Sequence, residues 1–524
     1  MKLRAEQRSI IGNFFFVSAL VCASGVALAG CGDDDDGGGS GGSSGTGATA
    51  GSGGSSGGTG GMAGMGGMAG TGGTAGDAGT AMAKIRVLHA ASSAPAVDLY
   101  PAGAATPIVT GLAYGKSTDY LELPPGTVKI DVRAAGSPAS GAPAFTTPDI
   151  NLMADKKYTA IAAGDLASSN ADDKFRVIAL EEGFGAPAAT AARVRIVHAG
   201  FDAPTVDIDV GNDDPTKAEI KGLSRFADTG ASGVDLPAGA AAQIGIAAGG
   251  KTVTAFTAPP LPAGAEIFVV ATGQLGKLAR EDAGFMLVGV LPNGSTTVAI
   301  KQNPRVYALH ASPDAGSVDI YAGSTELVDN AGFGALAPLQ VPPGSYTLEF
   351  FPGQAGKTPK PSGPPAASGA TPALEAGQSY LAIAAGELTA IPATFSLIAV
   401  QEGFSSSDTA KGRVRAVHAS GNAPAVDIGP ASGGNVTAKV LTNVKFKDAS
   451  PAEGLSLDAG ALTLGVAAAG STATVAEFPL TLVGGQRTFA VAAGKLGGTT
   501  NKFQLFAVDA KASPWAVAAV PSSK

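Results

Sequence analysis

The four histidines of the sequence are the residues best suited to chemistry, and each lies nine residues before an aspartate. The phrase reads IRVLHAASSAPAVDLY at 85–100, VRIVHAGFDAPTVDID at 194–209, VYALHASPDAGSVDIY at 306–321 and VRAVHASGNAPAVDIG at 414–429. The recurring pairs are His89 with Asp98, His198 with Asp207, His310 with Asp319, and His418 with Asp427. A carboxylate beside an imidazole can fix its tautomer, form a general acid/base dyad or provide two metal ligands.

A structural role is favoured for these pairs. They occur in every copy of the phrase, whereas a single active site needs only one, and no third ligand or nucleophilic serine recurs at a fixed offset. Two donors also fall short of the three or four protein ligands that zinc takes. The histidine shares a strand face with the residues two and four positions before it, Val87 and Ile85 in the first copy, so it is expected to point inward. If the strands of the histidine and the aspartate pair, a hydrogen bond between the two side chains is expected. The alternatives are a small-ligand or metal site and, with less support, a hydrolase dyad.

Further landmarks keep step with the histidines, which predicts internal repeats. The phrases begin 109, 112 and 108 residues apart. A Pro-Pro-Gly turn at 124–126 and 342–344 has the counterpart Pro-Ala-Gly at 237–239 and is lost in the fourth copy. The predicted domains are a signal peptide at 1–30, a linker that starts with lipidated Cys31 at 31–82, and repeats 1 to 4 at 83–190, 191–302, 303–410 and 411–524.

Within a repeat the pattern predicts strands. Val128, Ile130 and Val132 alternate with polar residues, and Tyr346, Leu348 and Phe350 alternate likewise, so one strand face should be buried and the other should face water. Seven or eight such runs bounded by glycine and proline are typical of an antiparallel sandwich. The expected fold is all-β: four tandem antiparallel, Ig-like β-sandwich domains.

A second order of repetition groups the repeats in pairs. Repeats 1 and 3 end in Glu-Gly-Phe at 182–184 and 402–404, and repeats 2 and 4 do not. The pattern predicts a two-domain unit in which Phe184 or Phe404 is an apolar plug at the join.

The N-terminus has the pattern of an export signal. Basic residues precede an apolar run that ends in Leu28-Ala29-Gly30-Cys31. This stretch resembles the lipobox of bacterial lipoproteins, and the resemblance implies that Cys31 carries a lipid. The Gly/Ser/Ala-rich segment after it cannot bury a core and is expected to be a flexible tether. We therefore expect a membrane association through the N-terminal lipid, in the cell envelope and on the outer membrane of a Gram-negative bacterium.

Composition excludes some partners. The chain has 35 Lys+Arg against 43 Asp+Glu, for a net charge of −8, which argues against nucleic acid as a partner. Residues 245–252 satisfy the phosphate-loop pattern G-x-x-x-x-G-K-[ST], but they link two predicted strands where that loop needs a following helix. A hairpin turn is the expected structure there.

The repeated V-R-x-V-H-A-S-x-x-A-P-x-V-D phrase, the Pro-Pro-Gly turn and the A-x-A-A-G strand resemble the bacterial family named domain of unknown function 4397. The resemblance covers roughly residues 84–510, four times over, and implies a secreted or surface protein with no assigned activity. The expected function is a non-enzymatic structural, adhesion or interaction module with no catalytic residues, cofactor or metal. Its partner would be an unidentified cell-surface protein or glycan.

Overall fold

The structure is a computed structural model that describes residues 81–211, 216–356, 359–405 and 408–524. The predicted signal peptide, Cys31 and nearly all of the linker lie outside these residues. Within the described ranges the regular secondary structure consists of strands, as predicted. No helix in that part of the chain is long and apolar enough to cross a membrane.

The described residues of repeats 1 and 2 form nineteen strands. Those of repeat 1 are β1 (Ala83–His89), β2 (Val97–Pro101), β3 (Val109–Leu112), β4 (Leu121–Leu123), β5 (Gly126–Val128), β6 (Ile130–Ala134), β7 (Phe145–Thr146), β8 (Ile150–Leu152), β9 (Lys157–Ala163) and β10 (Arg176–Glu181). Those of repeat 2 are β11 (Ala191–His198), β12 (Val206–Val210), β13 (Ile220–Leu223), β14 (Val234–Pro237), β15 (Ala242–Ala248), β16 (Lys251–Ala258), β17 (Glu266–Thr272), β18 (Met286–Val290) and β19 (Thr297–Lys301).

In repeats 3 and 4, eighteen strands lie within the part of the chain that the structure describes. Those of repeat 3 are β20 (Arg305–His310), β21 (Val318–Ala322), β22 (Thr325–Ala331), β23 (Leu336–Gln340), β24 (Thr347–Pro352), β25 (Ala367–Ala370), β26 (Ser379–Ala385) and β27 (Ser396–Gln401). Those of repeat 4 are β28 (Lys411–His418), β29 (Val426–Ser432), β30 (Asn435–Val436), β31 (Leu441–Val444), β32 (Leu455–Asp458), β33 (Gly460–Ala468), β34 (Thr474–Leu482), β35 (Arg487–Ala493), β36 (Gln504–Asp509) and β37 (Ala516–Pro521).

The same two-sheet arrangement recurs in all four repeats. In repeat 1 the first sheet has the order β10-β9-β1-β4 and the second has the order β3-β2-β6-β7, while β5 and β8 pair in a separate two-stranded sheet. Repeat 2 has the equivalent orders β18-β17-β11-β14 and β13-β12-β15-β16, and its first sheet is extended by β19. The chain crosses to the other sheet between the first two strands of each repeat, so the histidine-bearing strand and the aspartate-bearing strand belong to different sheets. The strand content and sheet pairing confirm the predicted all-β sandwich fold.

One strand pair in each repeat is parallel. β1 pairs with β9, β11 with β17, β20 with β26 and β28 with β35, and every other pairing between named strands is antiparallel. In each parallel pair the histidine lies opposite an alanine, as His89 does opposite Ala162. A parallel pair requires a crossover connection, which the intervening second sheet supplies here.

The central strands of the first sheets are buried on both faces. In β1, Ile85 and His89 face the interior of repeat 1, whereas Leu88 packs in a cluster with Val197 and Phe268 of repeat 2. In the second half of the chain, an equivalent cluster joins Leu309 and Ile383 of repeat 3 to Phe489 and Val491 of repeat 4. Repeats 1 and 2 therefore form a first block (83–302), and repeats 3 and 4 form a second block (303–524), each with a core between its two first sheets. Strands buried on two faces read as apolar runs such as Tyr380–Ala385.

The expectation of a water-facing polar side is wrong for β6. Asp131 and Arg133 are both buried, at 6% exposure each. Asp131 accepts hydrogen bonds from Thr146 Oγ1 (2.6 Å) and from the backbone N–H of Gly103 (3.3 Å), and it lies 3.5 Å from Arg133. These contacts give the buried carboxylate of Asp131 its polar partners. The alternation in repeat 3 is confirmed, because Leu348 and Phe350 are buried.

The segment with the phosphate-loop pattern is a hairpin, as predicted. β15 and β16 pair antiparallel from Ala242↔Ala258 to Ala248↔Lys251. The two residues between them, Gly249 and Gly250, have φ values of 58° and 74°. A two-residue turn with both φ values positive favours glycine, so the glycines here shape a turn between strands.

Candidate functional site

Each histidine is buried at the end of its strand and is bonded to the turn that follows it. The Nε2 atom lies within hydrogen-bond distance of the carbonyl oxygen six residues later in the chain. The distances are 2.9 Å from His89 to Pro95, 2.9 Å from His198 to Pro204, 2.7 Å from His310 to Gly316 and 3.1 Å from His418 to Pro424. A carbonyl oxygen only accepts, so Nε2 must carry the hydrogen and donate it. The imidazole thereby closes the turn that leads to the second sheet.

The surroundings of the histidines keep the rings neutral. Burial is the main cause that lowers the pKa of His89, His198, His310 and His418, and the bond to the carbonyl partly offsets it. With the proton on Nε2, Nδ1 presents a lone pair inside the sandwich. It accepts a backbone N–H from Ala91 in repeat 1 (3.3 Å) and from Ser312 in repeat 3 (3.4 Å).

Each aspartate stabilises a β-bulge in the second sheet. Its Oδ1 accepts the backbone N–H of a residue with positive φ, at the point where the aspartate-bearing strand shifts register against its neighbour, which is β3, β13, β22 or β31. The bonds run from Gly111 to Asp98 (2.7 Å), Gly222 to Asp207 (2.7 Å), Asn330 to Asp319 (2.7 Å) and Asn443 to Asp427 (2.8 Å). Glycine and asparagine are the residues that tolerate this conformation best.

A second bond fixes the other carboxylate oxygen in three of the copies. Oδ2 of Asp98 accepts the N–H of Gly136 (2.9 Å), that of Asp319 accepts Gln354 (3.1 Å), and that of Asp427 accepts Gly470 (3.0 Å). The carboxylate therefore connects the bulge to the loop that follows the strand on its other side, which is β6, β24 or β33. This role is structural.

The predicted contact between histidine and aspartate is not formed. β1 and β2 lie in different sheets and do not pair, and the same is true of the corresponding strands in the other repeats. Every hydrogen bond described for the eight side chains leads to other partners. The histidine and the aspartate of each phrase therefore have separate structural roles: the histidine holds the turn, and the aspartate holds the bulge. They do not form a dyad or a shared ligand set in the described chain.

The charged side chains beside the aspartate of the phrase differ between repeats 3 and 4. In repeat 4, Lys439 Nζ lies 2.7 Å from Asp427, and together with the bonds from Asn443 and Gly470 it lowers the pKa of Asp427 to about 2. In repeat 3, carboxylate oxygens of Asp319, Glu326 and Asp329 lie within 4.8 Å of one another. These three are the group in the described chain that could hold a cation, and the sequence did not single out Glu326 or Asp329.

The Glu-Gly-Phe segments lie at the join inside each block, as predicted. Phe184 packs edge-on against Phe268 with ring centroids 5.1 Å apart, and Phe404 packs against Phe489 at 5.0 Å. Each contact connects the end of one repeat to the first sheet of the next.

The glutamate of the segment forms part of the join, which the sequence pattern did not predict. Glu182 accepts the Tyr120 hydroxyl (2.8 Å) and pairs with the buried guanidinium of Arg86 (3.3 Å). Arg86 also donates to Leu291 O of repeat 2 at 2.7 Å. The arginine in the V-R-x-V-H phrase therefore lies in the join, because it is on the strand face opposite to that of the histidine.

Repeat 3 has Tyr307 in place of this arginine, and its join differs accordingly. Tyr307 stacks on Trp515 of repeat 4 with ring centroids 4.1 Å apart and an angle of 6° between the planes. Glu402 is paired instead with Arg280 of the first block, by bonds of 2.8 and 3.2 Å. The glutamate of the segment therefore pairs within its own block in repeat 1 and with the other block in repeat 3.

The sequence matches a known family in two segments. Residues 83–209 and 304–429 match the family described as "Domain of unknown function (DUF4397)". These two segments are similar to the DUF4397 family, and together they cover just under half of the chain. Each match spans an odd-numbered repeat, its Glu-Gly-Phe segment and the histidine–aspartate phrase of the next repeat. The matched DUF4397 segments therefore include the join inside each block. No curated protein matches the sequence.

Proposed function

We propose that the chain is a non-enzymatic lipoprotein of the cell envelope that displays four copies of the DUF4397 domain as a structural, adhesion or interaction module. Cys31 would carry the lipid, and the linker up to residue 82 would space the domains from the membrane. Two segments match the family directly, and the shared two-sheet arrangement supports extending the assignment to repeats 2 and 4.

One observation carries the non-enzymatic proposal. In all four repeats, the residues best suited to chemistry are bonded to the backbone of their own repeat: His89 to Pro95 and Asp98 to Gly111 in the first. A group that must leave a structural hydrogen bond to act pays the cost of an unsatisfied buried partner. Their recurrence is accounted for by a folding role in each copy.

The alternative with the next-best support is a small-ligand or metal site at the histidine–aspartate pairs. It is weakened because Nε2 of each histidine faces a carbonyl oxygen and the paired aspartate lies in the other sheet. A hydrolase has less support, since no nucleophile is bonded to these imidazoles in the described chain.

The proposed localisation is the outer membrane of a Gram-negative bacterium, with an unidentified cell-surface protein or glycan as partner. Several weak sites on one tether raise the effective concentration of each, which suits tandem domains to surface contact.

The anchor is tested by replacing Cys31 with serine in the full chain and following incorporation of an alkynyl palmitate label together with membrane fractionation. Label and membrane association are expected to be lost. The matched control is Cys22→Ser, which changes the other cysteine of the chain and is expected to keep both. Label that persists in the Cys31→Ser protein, or is absent from the unaltered one, rejects the lipoprotein proposal.

The role of the histidines is tested by titrating Zn²⁺ into the full chain at neutral pH by calorimetry. No stoichiometric binding that depends on histidine is expected. Binding that disappears in a His198→Gln variant with an unchanged circular dichroism spectrum would favour the metal-binding alternative. Binding lost only on Asp329→Asn would instead locate a cation at the acidic group of repeat 3.

A further inference from the structure

A cleft of about 480 Å³ lies where repeats 2, 3 and 4 meet. Repeat 2 supplies apolar wall residues such as Ile246 and Phe285, repeat 3 supplies Arg305 and Tyr307, and repeat 4 supplies Trp515. A cleft of this volume is in the range that holds small organic ligands. It belongs to the junction of the two blocks and contains none of the four histidines.

The charged side chains that line the cleft are all cationic. They are Lys277, Arg305, Arg487 and Lys511, and none of the 23 lining residues is an aspartate or glutamate. Over the whole chain acidic residues outnumber basic ones, 43 to 35, so the charge of the cleft is opposite in sign to the net charge of the protein. None of the ion pairs found among the described residues involves these four side chains. Their positive charge is therefore left to act on whatever enters the cleft.

Neutral groups hold one of the cations in place. Arg305 Nη2 donates to Gln302 Oε1 at 3.1 Å, and the same oxygen accepts the Thr254 hydroxyl at 2.7 Å. Gln302 is buried and its amide nitrogen donates to Phe285 O at 3.1 Å. The guanidinium is thus positioned without being neutralised, and its remaining N–H groups suit a carboxylate or phosphate.

Apolar surface lies beside these charges. Leu275 and Val253 line the cleft and are about half exposed, at 51% and 50%, which is unusual for large apolar side chains. Such surface next to uncompensated cations matches a ligand with an anionic head and an apolar body.

We propose that the cleft binds an amphipathic organic anion, with an aliphatic body and a carboxylate or phosphate head. The four cationic side chains recognise the head, and the wall that includes Val253 and Leu275 covers the body. The site is distinct from the histidine–aspartate phrases, and it exists only where the two blocks meet.

Trp515 makes the proposal directly testable, because it is the only tryptophan in the chain and it lines the cleft. Decanoate is titrated into the full chain at low ionic strength, below its micelle concentration, and the indole emission is followed. A saturable change is expected, with affinity that falls as NaCl is added. Decanol, which lacks the charge, is expected to bind about tenfold more weakly.

Matched variants separate a site from a general charge effect. In the double variant Lys277→Gln, Lys511→Gln, decanoate affinity is expected to fall about fivefold to tenfold, because two solvent-exposed contacts to the head are lost. Lys116→Gln, Lys502→Gln removes the same charge at exposed positions elsewhere and is expected to leave affinity unchanged. Both lysines of the cleft are exposed, so folding should not suffer. An emission that does not saturate, equal affinity in the two double variants, or equal binding of decanol would each overturn the proposal. Parallel titrations with decanoate and decyl phosphate distinguish the two head groups.

Discussion

The join inside the second block should be sensitive to the loss of a single ring. Phe404 is 1% exposed and packs against Phe489, and its backbone oxygen accepts a hydrogen bond from Arg280 at 2.7 Å. Truncating a fully buried phenylalanine to alanine costs about 3–5 kcal/mol. For a block of this size, that cost lowers the melting temperature by roughly 6–20 °C. We therefore expect Phe404→Ala to weaken the second block by this amount.

The assay is urea unfolding of the full chain followed by the emission of Trp515, which stacks on Tyr307 across the same join and also contacts Phe489 of its own repeat. Val483→Ala, at a residue that is 62% exposed in the same block, is the control and should change stability by less than about 0.5 kcal/mol. Phe184→Ala should cost less than Phe404→Ala, because Phe184 is only half-buried. A midpoint for Phe404→Ala that matches the Val483→Ala control would refute the assignment of this ring to the join.

Three further predictions concern charge. Asp427→Asn should be less stable than the unaltered chain at pH 7. The folded pKa of Asp427 is about 2 against an ordinary 3.8, so the difference in the free energy of unfolding should shrink as pH falls from 4 towards 2. A difference that stays constant over this range in unfolding experiments would contradict the prediction. Since burial lowers the pKa of the histidines below 6.5, the unfolded chain takes up more protons, and the free energy of unfolding should fall from pH 7 to pH 5; a His89→Gln variant should show a weaker fall. Arg280→Gln leaves buried Glu402 without its guanidinium and should cost about 1–3 kcal/mol, measured by calorimetry, whereas unchanged stability would show that the inter-block pair contributes nothing.

The sequence was sufficient to predict what the alternation of residues controls. His89 shares a strand face with Ile85, and that face is buried, so the inward direction of the imidazole followed from a period of two. The glycines at 249 and 250 likewise identified a turn. The position of Phe184 and Phe404 at the joins was predictable because the Glu-Gly-Phe segment is found at the end of repeats 1 and 3 only.

The partners of these residues could not be predicted in the same way. Alternation determines which face of a strand a side chain lies on, but it does not determine which strand is the neighbour. The short turn between β1 and β2 was therefore compatible with a hairpin, although the two strands belong to different sheets. The bulge was hidden because its residue changes between glycine and asparagine, as at Gly111 and Asn330. Arg86 belongs to the recurring phrase, but its burial depends on a second repeat that covers the outer face of the sheet, which the phrase alone does not indicate.

The most direct test of the structural role of the histidines is a long-range ¹H–¹⁵N NMR spectrum of the full chain labelled with ¹⁵N-histidine at pH 7, recorded with and without Zn²⁺. We predict four neutral rings protonated at Nε2, with nitrogen shifts that Zn²⁺ does not change, because each Nε2–H is bonded to a carbonyl oxygen. Rings protonated at Nδ1, or Nε2 signals that shift stoichiometrically with Zn²⁺, would contradict the account.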